Sequence, residues 1–165
     1  MMCNVRISAK SDYAVRAAAE LAAAQADHAG PVHSGAWVKT ENVATTQGIP
    51  VAFLLNILAE LRTAGLVQSR RGVDGGYRLA RPAAEITVAD VIRAVDGPLA
   101  NIAGARPEDM TYPGAAAALR DTWVALRATM RSVLEQITLA HLAAGKLPDQ
   151  VTMWIGDEDA WQARL

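Results

Sequence analysis

The spacing of apolar positions divides the chain into short helices, one hairpin and a longer terminal rod. Tyr13, Ala17 and Leu21 recur at i, i+4 and i+8 through an alanine-rich run. That spacing predicts a first helix, with Ser8 or Ser11 as its cap. Residues 25–37 carry Gly30, Pro31, Ser34 and Gly35 and read as a loop. Residues 39–44 predict a short second helix, capped by Thr40 and stopped at Gly48. The period is clearest between Pro50 and Gly65, where Leu54, Ile57, Leu58 and Leu61 share one face. Ala52, Asn56, Ala59 and Thr63 lie opposite. Leu55 and Arg62 flank the apolar face on one side, Phe53 and Glu60 on the other.

The period then changes from helical to alternating. Residues 66–69 predict a strand, residues 70–76 a turn region and residues 77–79 the return strand. Asp74-Gly75 supplies the hairpin signal and Pro82 ends the unit. Thr87 caps a fourth predicted helix over residues 88–95, stopped by Asp96-Gly97-Pro98. Residues 97–114, with three glycines and three prolines, read as loop. A long helix is expected from about Ala115. Its Leu119, Trp123, Leu126, Met130, Val133 and Ile137 are spaced 4, 3, 4, 3 and 4, a heptad seam. Such a helix of roughly 22 residues would make a rod of about 33 Å. Thr138 opens a further short helix ending near Gly145. No element is assigned to the acidic tail that holds Trp154 and Trp161.

With 52% apolar residues and a net charge of −1, the 165-residue chain can bury a core and does not read as disordered. No run of about 18 apolar residues is present to span a bilayer, and the N-terminus lacks the apolar core of a secretory signal. One cysteine, Cys3, excludes an intramolecular disulfide and any multi-cysteine site within one chain, so a cytoplasmic setting is expected. The near-neutral total hides an asymmetry. Residues 1–82 hold nine Lys/Arg against six Asp/Glu, a net +3, and the remainder holds seven against eleven, a net −4.

Three helices followed by a two-stranded hairpin make a mainly α fold with a small β-hairpin wing: a winged helix-turn-helix domain plus a long dimerisation helix. In that arrangement the third helix enters the major groove and its outward face meets base edges. Ala52, Leu55, Asn56, Arg62 and Thr63 are the candidates there. Arg70 and Arg71 at the hairpin's shoulder are candidates for phosphate or minor-groove contact. Ser8, Lys10 and Tyr13 on the first helix are candidates for the DNA backbone. The seam residues Leu119, Trp123, Leu126, Met130, Val133 and Ile137 are the expected dimer interface. Tyr112 and Trp123 are the candidate lining of an effector pocket. No metal site is expected: Cys3, His28 and His33 match no ligand spacing, and residues 72–76 lack the Lys-Ser/Thr of a phosphate-binding loop. No catalytic set can be assembled, so an enzyme is not expected.

Four ordered blocks carry a resemblance. They are Ile7-Ser8-Ala9-Lys10-Ser11-Asp12-Tyr13-Ala14-Val15-Arg16-Ala17; Gln47-Gly48-Ile49-Pro50 with Phe53-Leu54, Leu58, Leu61-Arg62 and Ala64-Gly65-Leu66-Val67; residues 69–79 across the wing; and residues 86–97. Together they resemble the Rrf-two family of bacterial winged-helix transcriptional regulators. The match is close over residues 5–97 and looser along the long helix to about 145.

The resemblance implies a homodimer on double-stranded DNA at a palindromic operator, acting as repressor or activator, with the long helix pairing the subunits. Many members hold an iron–sulfur cluster on three cysteines of the loop before that helix. Here residues 97–118 contain neither cysteine nor histidine, so the family's cofactor is expected to be absent. Asp12 stands where one relative uses an acidic cluster ligand, but an acid alone holds no cluster. Leu55 stands where relatives can carry a base-reading acid. The organisation expected is a DNA-binding domain at 1–82, a linking helix and sensor-like loop at 83–114, a dimerisation region at 115–145 and an acidic tail at 146–165. The leading reading is a homodimeric repressor on a palindromic operator whose effector, a small molecule or a partner protein, is not an iron–sulfur cluster. The alternative is an interaction module controlled by a partner protein, with weak DNA contact.

Overall fold

The computed structural model describes residues 7–27 and 36–163. Cys3, His28 and His33 lie outside them. Helix α1 (Ala9–Ala26) starts where Ser8 accepts the Ser11 N–H, and it buries Ala14, Ala17, Ala18, Leu21 and Ala22. Tyr13 sits at the margin of that face rather than on it. Helix α2 (Thr40–Gln47) ends on Gly48, whose φ of 63° closes the turn into α3 (Val51–Thr63). The expected cap is displaced by one residue: Lys39 is the N-cap and Thr40, inside the first turn, is buried. Pro50 is likewise the N-cap of α3, not its first residue.

Strands β1 (Val67–Arg70) and β2 (Gly76–Leu79) pair antiparallel, with Arg70 opposite Gly76. The hairpin therefore extends one residue further than its apolar pattern implies. A rung between Val38 and Tyr77 adds a third extended segment, through bonds of 2.9 and 2.8 Å. This contact explains Gly76, with φ of 148°: a Cβ there would collide with the Val38 carbonyl.

Helix α4 (Val88–Asp96) opens with a reciprocal capping box between Thr87 and Asp90. Residues 97–118 are irregular but not featureless, with single 3₁₀ turns at Pro107–Asp109 and Gly114–Ala116. Helix α5 (Leu119–Leu134) is shorter than its heptads suggest: 16 residues, about 24 Å. The cause lies at both ends. The alanines at 115–118 leave a 3₁₀ turn at Gly114, where φ is 58°, and have not yet entered the helix. At the other end, Ile137 is drawn into the interior, where its carbonyl accepts the Val88 N–H at 2.8 Å. Helix α6 (Leu139–Ala143) follows, with Thr138 and His141 forming its capping box. The tail contains α7 (Asp149–Ile155) and a 3₁₀ turn at Glu158–Trp161, where the pattern assigns no element.

Among the described residues, two apolar clusters form the interior. The larger joins α1, α2 and α3 to the hairpin through Leu21, Leu54, Leu58, Leu61 and Leu79. It also takes in Ile86, Val91, Val95 and Leu139, so it runs across position 82, where Pro82 suggests an edge. The smaller gathers Val88, Ala89, Ile92, Leu99, Ile137 and Val151. Ile137, expected as the last seam position, is 9% exposed and belongs to its own chain's core, with Val133 packed against it. This corrects the expected interface at its C-terminal end. No single helix among the described residues is long and apolar enough to cross a membrane.

Candidate nucleic-acid interface

Helices α2 and α3 turn through 116°, a helix-turn-helix angle. The turn is fixed locally: the Ile49 N–H donates to the Ala44 carbonyl at 3.0 Å, and Ile49 itself is buried. With Leu54, Ile57, Leu58 and Leu61 inside, α3 leaves Val51, Ala52, Leu55, Asn56, Arg62 and Thr63 exposed. Thr63 turns its hydroxyl back to the Ala59 carbonyl at 3.0 Å, and Arg62 reaches Ser69 on the hairpin at 3.1 Å.

Between the start of α2, the Arg62 side of α3 and the hairpin lies a cleft of about 410 Å³. Lys39, Arg62, Arg70 and Arg71 line it, with Glu41 as the acidic member. The first turn of α2 also borders this cleft, and Lys39 makes no side-chain capping bond there. Four cations beside a helix start suit a phosphate oxygen.

The two wing arginines differ. Arg70 is held: its Nε donates to the Asp74 carbonyl at 3.1 Å and its guanidinium lies 5.0 Å from the centre of the Trp37 ring. Arg78 contacts the same ring at 4.3 Å. Arg71 is exposed and has no hydrogen-bond or ion-pair partner among the described residues, which leaves its five donors for a ligand. Sequence reasoning missed Trp37 because it lies in a stretch with no apolar period. It also missed Lys39, which it treated only as a helix residue.

The candidates on α1 serve the protein's own architecture. Ser8 donates to the Asp96 carboxylate, which also accepts the Ser11 hydroxyl at 2.7 Å. Lys10 donates to the Val95 carbonyl at 2.6 Å and pairs with Glu60 at 2.7 Å. Tyr13 meets Phe53 edge-on, with ring centres 5.7 Å apart, and Arg16 lies 5.3 Å from its ring. All three tie α1 to α3 or α4, and the expected DNA-backbone contacts of Ser8 and Lys10 compete with those bonds. Asp12 is exposed and paired with Arg16 at 3.2 Å.

The second region is α5 with the loop before it. No residue of α5 is buried, although Leu119, Trp123, Leu126, Met130 and Val133 repeat along it half-exposed. Tyr112 is half-exposed too. The Trp123 Nε1–H is shielded from solvent and has no acceptor among the described residues. The loop is fastened to α5 by Glu108, whose carboxylate lies 2.5 Å from the Arg127 guanidinium, itself only 12% exposed. A bond from its own backbone N–H, then the Arg127 guanidinium, holds the Glu108 carboxyl below the usual carboxylate range. A lowered folded value means that this tie is fully present above the ordinary range and is lost only as pH falls through the lowered one. Amide exchange across residues 107–118, followed against pH, should show protection persisting to below the ordinary range. Release at or above that range would contradict it.

Known proteins resemble the chain along most of its length. The family model described as "Rrf2: Iron-dependent Transcriptional regulator" matches residues 7–145. A Mycobacterium tuberculosis protein named "Putative HTH-type transcriptional regulator Rv1287" is 50% identical over 159 residues, 96% of this chain and 94% of its own. The HTH-type transcriptional regulator CymR of Bacillus subtilis is 31% identical over 140 residues, 85% of this chain and 91% of its own. The solved structure of CymR, titled the global cysteine regulator of B. subtilis, superposes with a TM-score of 0.70 at 28% identity, covering 87% of this chain and 99% of that one. IscR of T. potens gives 0.64 at 26% identity, covering 98% and 95%. The winged helix-turn-helix geometry and these matches agree: the chain belongs to the Rrf2 family of transcriptional regulators, and is not an enzyme.

Proposed function

We propose that the protein acts as a homodimeric repressor on a palindromic operator. Each subunit would lay the open face of α3 in the major groove and set Arg70 and Arg71 against the adjacent backbone or minor groove. The observation that carries this reading is the cationic cleft of Lys39, Arg62, Arg70 and Arg71, placed on the exposed flank of α3. The dimer is supported by α5. Its seam positions Leu119, Trp123, Leu126 and Met130 join neither interior cluster of the described residues, and two such seams would cover each other. Selection of bound DNA from a random pool tests the function: a recovered two-fold sequence supports it, and an unenriched pool overturns it. Reporter expression from that sequence, with and without the regulator, settles the sign.

We also propose that its signal is not an iron–sulfur cluster, despite the iron in the family's description. The residues do not fit one. Residues 97–118 offer no thiol or imidazole, and their acids Glu108 and Asp109 are paired with Arg127 and Arg106. A small-molecule effector acting at the loop and α5 is the reading the geometry favours, through Trp123 and its unmatched indole donor. The partner-protein alternative draws on one observation. Met153, Trp154, Ile155 and Trp161 expose apolar surface near the C-terminus. Deleting residues 149–165 without changing regulation in cells would remove its support.

A further inference from the structure

The outward face of α3 is unusual in its chemistry, and the cationic cleft does not account for it. Leu55 is 43% exposed and Val51 41%, and neither belongs to an interior cluster. Ala52 is exposed beside them. Phe53, the other exposed apolar residue of this helix, is engaged with Tyr13. Arg62 lies two turns from Leu55 on the same side of the helix and joins Lys39, Arg70 and Arg71 in the cleft, a cationic border whose charge favours a polyanion over a protein partner. That border suits phosphates, so the occupant of the apolar strip is the floor of a major groove.

Among base edges in that groove, one group is apolar: the thymine 5-methyl. We propose that Leu55, with Ala52 and Val51, reads thymine methyl groups in each half-site. Asn56, exposed next to them, carries the amide that pairs bidentately with adenine N6 and N7. One A·T pair offers both the methyl and the adenine edge, so the two chemistries converge on the same base pairs. This specificity rests on the operator reading above and deepens it.

The test uses the full-length protein and the two-fold sequence recovered by selection. Each thymine of a half-site is replaced in turn by deoxyuridine, which deletes only the methyl. Affinity is measured for the natural protein and for Leu55→Ala, a change at an exposed position. At one or two positions, deoxyuridine should weaken the natural protein about fourfold, the equivalent of roughly 0.8 kcal/mol for one buried CH₂-sized group. Leu55→Ala should bind the thymine operator more weakly and lose the deoxyuridine penalty at the same position. Specific binding with no penalty at any thymine, or an unchanged penalty in Leu55→Ala, overturns the methyl readout alone. Failure to recover any specific sequence overturns the operator reading instead, so the two failures are distinct.

Discussion

Replacing Arg71 with alanine should weaken operator binding by about tenfold or more while leaving the melting temperature unchanged. The size follows from the roughly 1.5–3 kcal/mol of a hydrogen bond to a charged group, lost here without any internal bond being broken. Arg71 is exposed and unpartnered among the described residues, so its removal leaves no buried group unsatisfied. Arg70→Ala should cost a similar amount of affinity by a different route. Its guanidinium braces the hairpin against Trp37 and the Asp74 carbonyl, so the change also loosens the wing. Trp37→Ala should therefore reproduce part of the Arg70→Ala loss, whereas it should leave the Arg71 contact in place. A salt titration separates charge from shape: each phosphate contact removed lowers the slope of log affinity against log salt by about 1. An Arg71→Ala protein with unchanged affinity and slope would remove Arg71 from the DNA interface, and the same result for Arg70→Ala would remove the wing.

These arginines show what a one-dimensional reading can and cannot find. The apolar face of α3 was legible because a 3.6-residue period is local, and its complement gave the outward face at once. The Thr87 cap was legible for the same reason, since it lies next to the turn it closes; the reciprocal bond from Asp90 appears only in the structure. The roles of Ser8 and Lys10 were not legible. Their partners Asp96 and Val95 lie more than 80 residues away, and nothing in a local pattern distinguishes a lysine reaching a phosphate from one reaching a carbonyl. Trp37 was hidden likewise, because its value comes from two arginines on separate strands. The heptads of α5 specify its apolar spacing but not its length. Ile137 satisfies the period and yet goes to the core, because tertiary burial and the Val88 bond outweigh continuation of the helix.

The division between Ile137 and the rest of the seam sets up the largest expected effect. Leu126 repeats in the heptad but joins neither interior cluster, so a charge placed there has no core of its own to disrupt. Leu126→Glu should convert the proposed dimer to monomers, because two carboxylates brought together in an apolar seam would each be desolvated beside a like charge. The DNA-binding head should stay folded, since its interior is built from α1, α2, α3, α4, α6 and the hairpin. Operator affinity should nevertheless fall by roughly 10²–10⁴, because two half-site contacts no longer act as one intramolecular pair. Val133→Glu should behave differently: Val133 also packs on the smaller cluster, so stability should drop together with dimerisation. Sedimentation, urea unfolding and operator binding on the same samples distinguish these outcomes. A natural protein that sediments as a monomer, or a Leu126→Glu dimer of undiminished affinity, would place the subunit contact elsewhere. The apolar seam of α5 would then need another occupant.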